Sequence, residues 1–157
     1  MNSDHIEELG RYKIQKVIGT GGMSIVFKAV HMQSGDLVAI KTIKDITLNN
    51  LAGITREIDV LKLLKHKNIV EIIDTGVDKG IPWIAMPLLT GKTLRDSYSE
   101  DVDPIAFIEI IAGICEALEY LHSKGFIHMD LKPDNVFLTK DNEPVLIDFG
   151  LRSVFFD

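Results

Sequence analysis

From Tyr12 to about Ile43, apolar positions alternate with polar ones, and the alternation breaks at Gly19 to Gly22 and again at Ser34-Gly35-Asp36. A period of two with turn residues at its breaks predicts three antiparallel strands. Ile54, Ile58 and Leu61 then recur at helical spacing, which predicts a helix with one face on that sheet, ended by Lys65-His66-Lys67-Asn68. Glu71 to Val77 and Ile81 to Met86 read as two further strands. Asp103-Pro104 opens a long helix that runs to about Lys124, where Gly125 stops it. Its polar stripe of Glu109, Glu116 and Glu119 is narrow. Ile108, Ile111, Ala112, Ile114, Cys115, Leu118 and Leu121 cover much of the rest, so burial on more than one side is expected. Phe126-Ile127 and Val136-Phe137-Leu138 are predicted as short strands, and Asp141-Asn142-Glu143-Pro144 as the turn into Val145-Leu146-Ile147.

Composition narrows the class. The chain has 157 residues, 46% hydrophobic and 25% charged, a globular balance whose length suits one ordinary domain. With 17 basic and 23 acidic residues the net charge is −6, and no basic cluster occurs, which argues against nucleic acid or an anionic membrane surface as a partner. Cys115 is the single cysteine, so no intrachain disulfide forms, and its apolar helical setting predicts buried packing. His66 is expected to cap a turn, since no second histidine or cysteine stands at ligand spacing. The polar, acidic start lacks a signal peptide's features, and no run of about eighteen apolar residues is present, so a cytoplasmic location is expected.

The candidate chemistry lies in His128-Met129-Asp130-Leu131-Lys132-Pro133-Asp134-Asn135 and, a short strand later, Asp148-Phe149-Gly150. Phosphoryl transfer asks a protein mainly to align a hydroxyl with a phosphate and to neutralise spread-out negative charge. Asp130 can accept or orient the hydroxyl proton, Lys132 can face the γ-phosphate, and Asn135 and Asp148 supply the hard oxygens that Mg²⁺ prefers.

These segments resemble the H-R-D-L-x-x-x-N and D-F-G signatures of the eukaryotic-type serine/threonine protein kinases, and the upstream motifs follow in the family's order. Gly19-Thr20-Gly21-Gly22-Met23-Ser24-Ile25-Val26 is similar to the glycine-rich phosphate loop, and Val38-Ala39-Ile40-Lys41 to the next strand with its phosphate-binding lysine. The resemblance implies that Glu57 pairs with Lys41. It further implies that Val26 and Ala39 roof the adenine, with Met86 behind it, and that the Pro87 carbonyl and Leu89 N–H bond to it. Phe137 joins the nucleotide-lining residues on the same ground. Thr93 is a candidate for the ribose, with helix capping an equal explanation. The implied fold is α+β and protein-kinase-like: an antiparallel five-stranded small lobe with one helix, plus the first, mainly helical part of the large lobe. The corresponding divisions are an N-terminal extension at 1–11, a small lobe at 12–86, a hinge at 87–93 and a partial large lobe at 94–157.

Three departures stand out. Ser24 occupies the place of the loop's third glycine, which should stiffen it modestly. Met129 replaces the arginine of H-R-D, which implies that a phosphorylated activation loop is not neutralised here. The chain also ends at Asp157, seven residues after Gly150, so the family's A-P-E motif and later large-lobe helices are expected to be missing. The expected function is ATP- and Mg²⁺-dependent phosphorylation of a protein serine or threonine with Asp130 as base. Lys132 favours that acceptor class over the small-molecule phosphotransferases that share the fold. The alternative is a catalytically weak nucleotide-binding or interaction fragment.

Overall fold

The computed structural model describes residues 6–21, 24–43, 61–97 and 103–148. The chain divides into two compact units, one of Met1–Leu63 with Ile72–Leu88, the other of Leu64–Glu71 with Leu89–Asp157.

In the first unit a six-stranded antiparallel sheet runs in the order β1 (Glu8–Leu9), β2 (Tyr12–Thr20), β3 (Ser24–His31), β4 (Leu37–Ile43), β6 (Ile81–Pro87), β5 (Asp74–Asp78). Five of these strands answer to the five expected. The sixth is β1, too short to read from alternation, which Gly10 at φ 56° folds back onto β2. Strand pairing also fixes the faces. Successive residues point to opposite sides, so Ile25, Phe27 and Ala29 of β3, Val38 and Ile40 of β4 and Trp83 and Ala85 of β6 share one face. They form the core with Leu9 and Tyr12, and Phe27, Ala29, Ile40 and Ala85 are almost wholly buried. Val26, Ala39, Lys41 and Met86 therefore stand on the opposite face, with Val26 opposite Lys41 and Ala39 opposite Met86.

The core is closed by Trp83, whose ring packs edge-on against Tyr12 at 5.5 Å. Gly76 is its cross-strand partner, and a methyl group on Gly76 would stand 2.5 Å from the indole Cζ2. Around the Tyr12 hydroxyl, Asp74 accepts a hydrogen bond and also meets Arg11 and Lys62, binding the start of β2 to β5. Burial and the Asp74 carboxylate together raise the Tyr12 pKa, so the hydroxyl stays protonated and keeps that bond.

The second unit contains a three-stranded sheet of β7 (Gly91–Thr93), β8 (Val136–Thr139) and β9 (Pro144–Leu146), with β8 in the middle, the short helix α1 (Leu94–Ser97) and the long helix α2 (Pro104–Ser123). Asp103 caps α2 by accepting from the Ile105 N–H at 3.0 Å, Pro104 occupies the first turn, and Gly125 leaves the helix at φ 79°. Ile110, Ile114, Ala117 and Leu121 form its buried stripe. Burial on further sides is not observed, because Ile105, Phe107, Ile108 and Ile111 are exposed. Cys115 corrects the expectation of a buried thiol: it is exposed, since one residue past Ile114 lies about 100° round the helix and off the stripe. Phe126-Ile127 is not a strand either. The Phe126 N–H is taken by the Leu121 carbonyl at 2.9 Å, which folds the segment onto the helix end.

The segment 64–71 packs in this second unit. Asn68 donates from Nδ2 to the Pro144 carbonyl at 2.7 Å, its own carbonyl accepts from Leu146 N, and Val70 N donates to the Leu146 carbonyl. His66 stacks on Tyr120 at 5.2 Å and receives the Asn68 N–H on Nδ1, the turn-capping role expected of it.

The Gly76→Ala substitution should cost about 1–3 kcal/mol by overpacking against Trp83. The measurement is the urea midpoint, and an unchanged midpoint would mean that the indole can retreat freely.

Candidate active site

The segment between α2 and β8 is shaped by backbone bonds before any side chain acts. The Asp130 N–H donates to the His128 carbonyl at 2.8 Å, a three-residue turn with Met129 at its centre and φ 60°. That left-handed geometry is costly for a residue with a side chain, and it swings Asp130 outward while His128 stays 2% exposed. A 3₁₀ turn, Pro133–Asn135, follows, closed by Asn135 N donating to the Lys132 carbonyl at 2.9 Å.

Asn135 is the hub. Its Nδ2 donates to the Asp130 carbonyl at 2.8 Å and to the Asp130 carboxylate at 2.9 Å, while its carbonyl receives the Ile147 N–H at 2.9 Å. Lys132 Nζ lies 2.7 Å from the same carboxylate. That ammonium, aided by the Asn135 amide, lowers the Asp130 pKa, and Asp130 in turn raises that of Lys132. At neutral pH the loop therefore presents an ionised acceptor and a fixed cation side by side. Asp148 stands near enough for its charge to act on both His128 and Lys132, and it too takes a left-handed φ of 59°.

For a metal ion, Asn135 spends its amide nitrogen on Asp130, which leaves the amide oxygen as its free donor. No group of three or more His, Cys, Asp or Glu side chains gathers among the described residues. One amide oxygen and one carboxylate do not make a closed cage. They do suit Mg²⁺, which keeps waters and takes its remaining ligands from phosphate oxygens.

The first unit carries a different set. Gly19 and Thr20 end β2, and the Gly21 N–H donates to the Ser24 carbonyl at 2.9 Å, closing the turn into β3. Lys41 is buried at 7% exposure on the same face as Val26 and Ala39, a placement lysines rarely take unless paired. Met86 and Pro87 end β6. Leu89 and Phe137 belong to the second unit, where Phe137 pairs with Thr93. Thr93 itself caps α1, receiving the Asp96 N–H at 3.1 Å and donating to its carboxylate, so the capping explanation holds. Glu57, Gly22, Met23, Phe149 and Gly150 lie outside the described residues.

Residues 12–155 match the protein kinase domain family. The chain belongs to the protein kinase family. A probable serine/threonine-protein kinase of Streptomyces coelicolor is 36% identical over 94% of this chain, and the PknB kinase of Corynebacterium glutamicum 37% identical over 90%. The chain spans 23% of the length of each. Among solved structures, Rad53 in complex with AMP-PNP superposes with a TM-score of 0.81 at 33% identity, covering 90% of this chain and 38% of that one. The fold is thus that of the protein kinases. No described helix is long and apolar enough to cross a membrane.

Two features of this kinase chain had no local sequence signal. Asn68 ties the 64–71 segment to β9, and Arg95 forms an ion pair with Asp134, 39 residues on. Both are contacts between distant segments, visible only once the strands are paired.

Burial holds the His128 imidazole below its ordinary pKa of 6.5, against the opposing backbone bond at Ile147 and the charges of Asp148 and Asp130. The unfolded chain then binds the proton more tightly than the folded one. The neutral histidine's contribution is complete above about pH 6.5 and is lost as pH falls through the lower folded value. Urea midpoints measured from pH 7.5 to 5 should decline, and more steeply than in His128→Asn. Equal slopes would contradict it.

Proposed function

We propose that this chain provides the ATP-binding and catalytic residues of a serine/threonine protein kinase. The observation that carries the reading is the arrangement of Asp130, Lys132 and Asn135: one ionised carboxylate held by an amide and an ammonium within a single loop. In this reading 12–86 is the small lobe, 87–93 the hinge and 94–157 the beginning of the large lobe, with 1–11 as an extension.

Asp130 orients the acceptor hydroxyl of a protein serine or threonine and receives its proton. Being well ionised and a weak base, it acts chiefly by alignment, the proton leaving as the new bond forms. Lys132 screens the repulsion between that carboxylate and the transferring phosphoryl group. Asn135 and Asp148 would hold Mg²⁺, which when bound neutralises phosphate charge. Gly19, Thr20, Gly21, Gly22, Met23 and Ser24 cover the phosphates of ATP with backbone N–H groups, and Lys41, paired with Glu57, meets the α- and β-phosphates. Val26, Ala39, Met86 and Phe137 line the adenine. The Pro87 carbonyl and Leu89 N–H bond its edge, a role a proline fills because only its carbonyl is required. The similarity to Rad53, solved with AMP-PNP, supports the nucleotide assignment.

A second reading, nucleotide binding without useful transfer, draws on the exposed apolar residues Ile105, Phe107, Ile108 and Ile111 of α2, a surface suited to association. A transfer assay separates the two. Asp130→Asn should lower the rate by about 10²-fold or more while ATP binding persists. Indistinguishable rates for parent and variant would favour the second reading. Lys41→Met should weaken Mg²⁺-dependent ATP binding by about ten-fold or more, through loss of charged hydrogen bonds to phosphate. Calorimetry checks this, and unchanged affinity would count against the assignment of Lys41.

A further inference from the structure

The turn that presents Asn135 to Asp130 has few bonds within itself. It is three residues of 3₁₀ helix with one closing hydrogen bond, its leading residue Lys132 provides no side-chain cap, and Pro133 contributes no N–H. Yet the side chain of Asn135 has to meet two oxygens of Asp130 at once, at 2.8 and 2.9 Å, and a small rotation of the turn would break both bonds.

An ion pair outside the loop opposes that rotation. Arg95 Nε donates to Asp134 Oδ1 at 2.6 Å, and Asp134 is the residue immediately before Asn135. Arg95 sits on α1, which is itself well anchored. Thr93 caps it, Ser97 Oγ donates back to the Thr93 carbonyl at 2.7 Å, and Thr93 pairs with Phe137 across the β7–β8 ladder. The ion pair and the ladder together close a ring: Arg95 to Asp134, along the chain to Phe137, across to Thr93 and back to Arg95. The ion pair adds a further fixed point upstream of Asn135 to the ladder and the Ile147 bond that hold its downstream side.

We propose that Arg95 is a positioning residue for the catalytic loop, fixing through Asp134 the turn that holds Asn135 against Asp130. The proposal rests on the kinase reading above for its effect on rate, though not for its effect on the loop. Both side chains are substantially exposed, 61% for Arg95 and 42% for Asp134, so the pair adds little to folding stability and its consequence is orientation. Each partner favours the other's charged form, the Asp134 pKa being lowered and the Arg95 pKa raised, so the tie persists across the neutral range.

The test compares the 157-residue chain with Arg95→Met, Arg95→Lys and the swapped pair Arg95→Asp with Asp134→Arg. Two readouts are needed: transfer from Mg²⁺-ATP to a degenerate serine/threonine peptide library, and amide exchange over 132–147. Arg95→Met should lower kcat about ten-fold, as misplacement by a fraction of an ångström does, while leaving the KM for ATP unchanged. Exchange should quicken over 132–147 and not in β2 to β4. Arg95→Lys should recover part of the rate and the swapped pair most of it. A kcat within about two-fold of the parent for Arg95→Met overturns the proposal, as does a swapped pair no better than Arg95→Met, or faster exchange spread over both units. If the parent chain transfers no phosphate, the kinase reading fails, and exchange over 132–147 alone decides whether Arg95 holds the loop.

Discussion

Asn135 makes four hydrogen bonds in four directions, and the candidate chemistry depends on that geometry. Its N–H closes the 3₁₀ turn, its carbonyl anchors Ile147 beside Asp148, and its amide nitrogen fixes both the backbone and the carboxylate of Asp130. At 6% exposure these bonds hold its side chain in one orientation and leave the amide oxygen available. The carboxylate it holds is the one that Lys132 meets, and the residue it anchors precedes Asp148.

Around this hub, strain and burial do complementary work. Met129 and Asp148 take left-handed backbone angles that side chains disfavour; the first adjoins a candidate site residue and the second is one. Phe126, Val136, Leu138, Val145 and Leu146 are nearly inaccessible to solvent, and so is His128. Burial of these residues beside the half-exposed Asp130 and Lys132 separates an apolar part of this unit from a polar one. The sheet of the first unit uses the same division, with an aromatic and aliphatic core on one face and Lys41 on the other.

Glycine enters this account where space, more than flexibility, is required. Gly76 faces the Trp83 ring with no room for a methyl group, and at Gly91, φ 150°, a Cβ would run into the Leu138 carbonyl. The first lets a tryptophan close the core. The second brings β7 close to β8, and with it the helix from which Arg95 reaches Asp134.

Local pattern was enough to read most of the elements. Alternation marked β2, β3 and β4, the apolar runs marked β6 and, begun three residues early, most of β5, Asp103-Pro104 and Gly125 bounded α2 within a residue or two, and the spacing of Asp130, Lys132 and Asn135 predicted a cluster that the structure brings together. These are short-range consequences of backbone period, capping and loop length, so neighbouring residues suffice to determine them. Elements too short to show a period escaped, as β1 did, and Phe126-Ile127 looked like a strand because a short apolar pair reads alike in strand and loop. Exposure of Cys115 could not be read either, because a helix apolar on several sides does not say which stripe its neighbours will cover. The pairing of Arg95 with Asp134 and the attachment of 64–71 to β9 were decided only by tertiary structure. Each joins residues separated along the chain by a strand or more, and no local preference encodes which distant partner the fold will deliver.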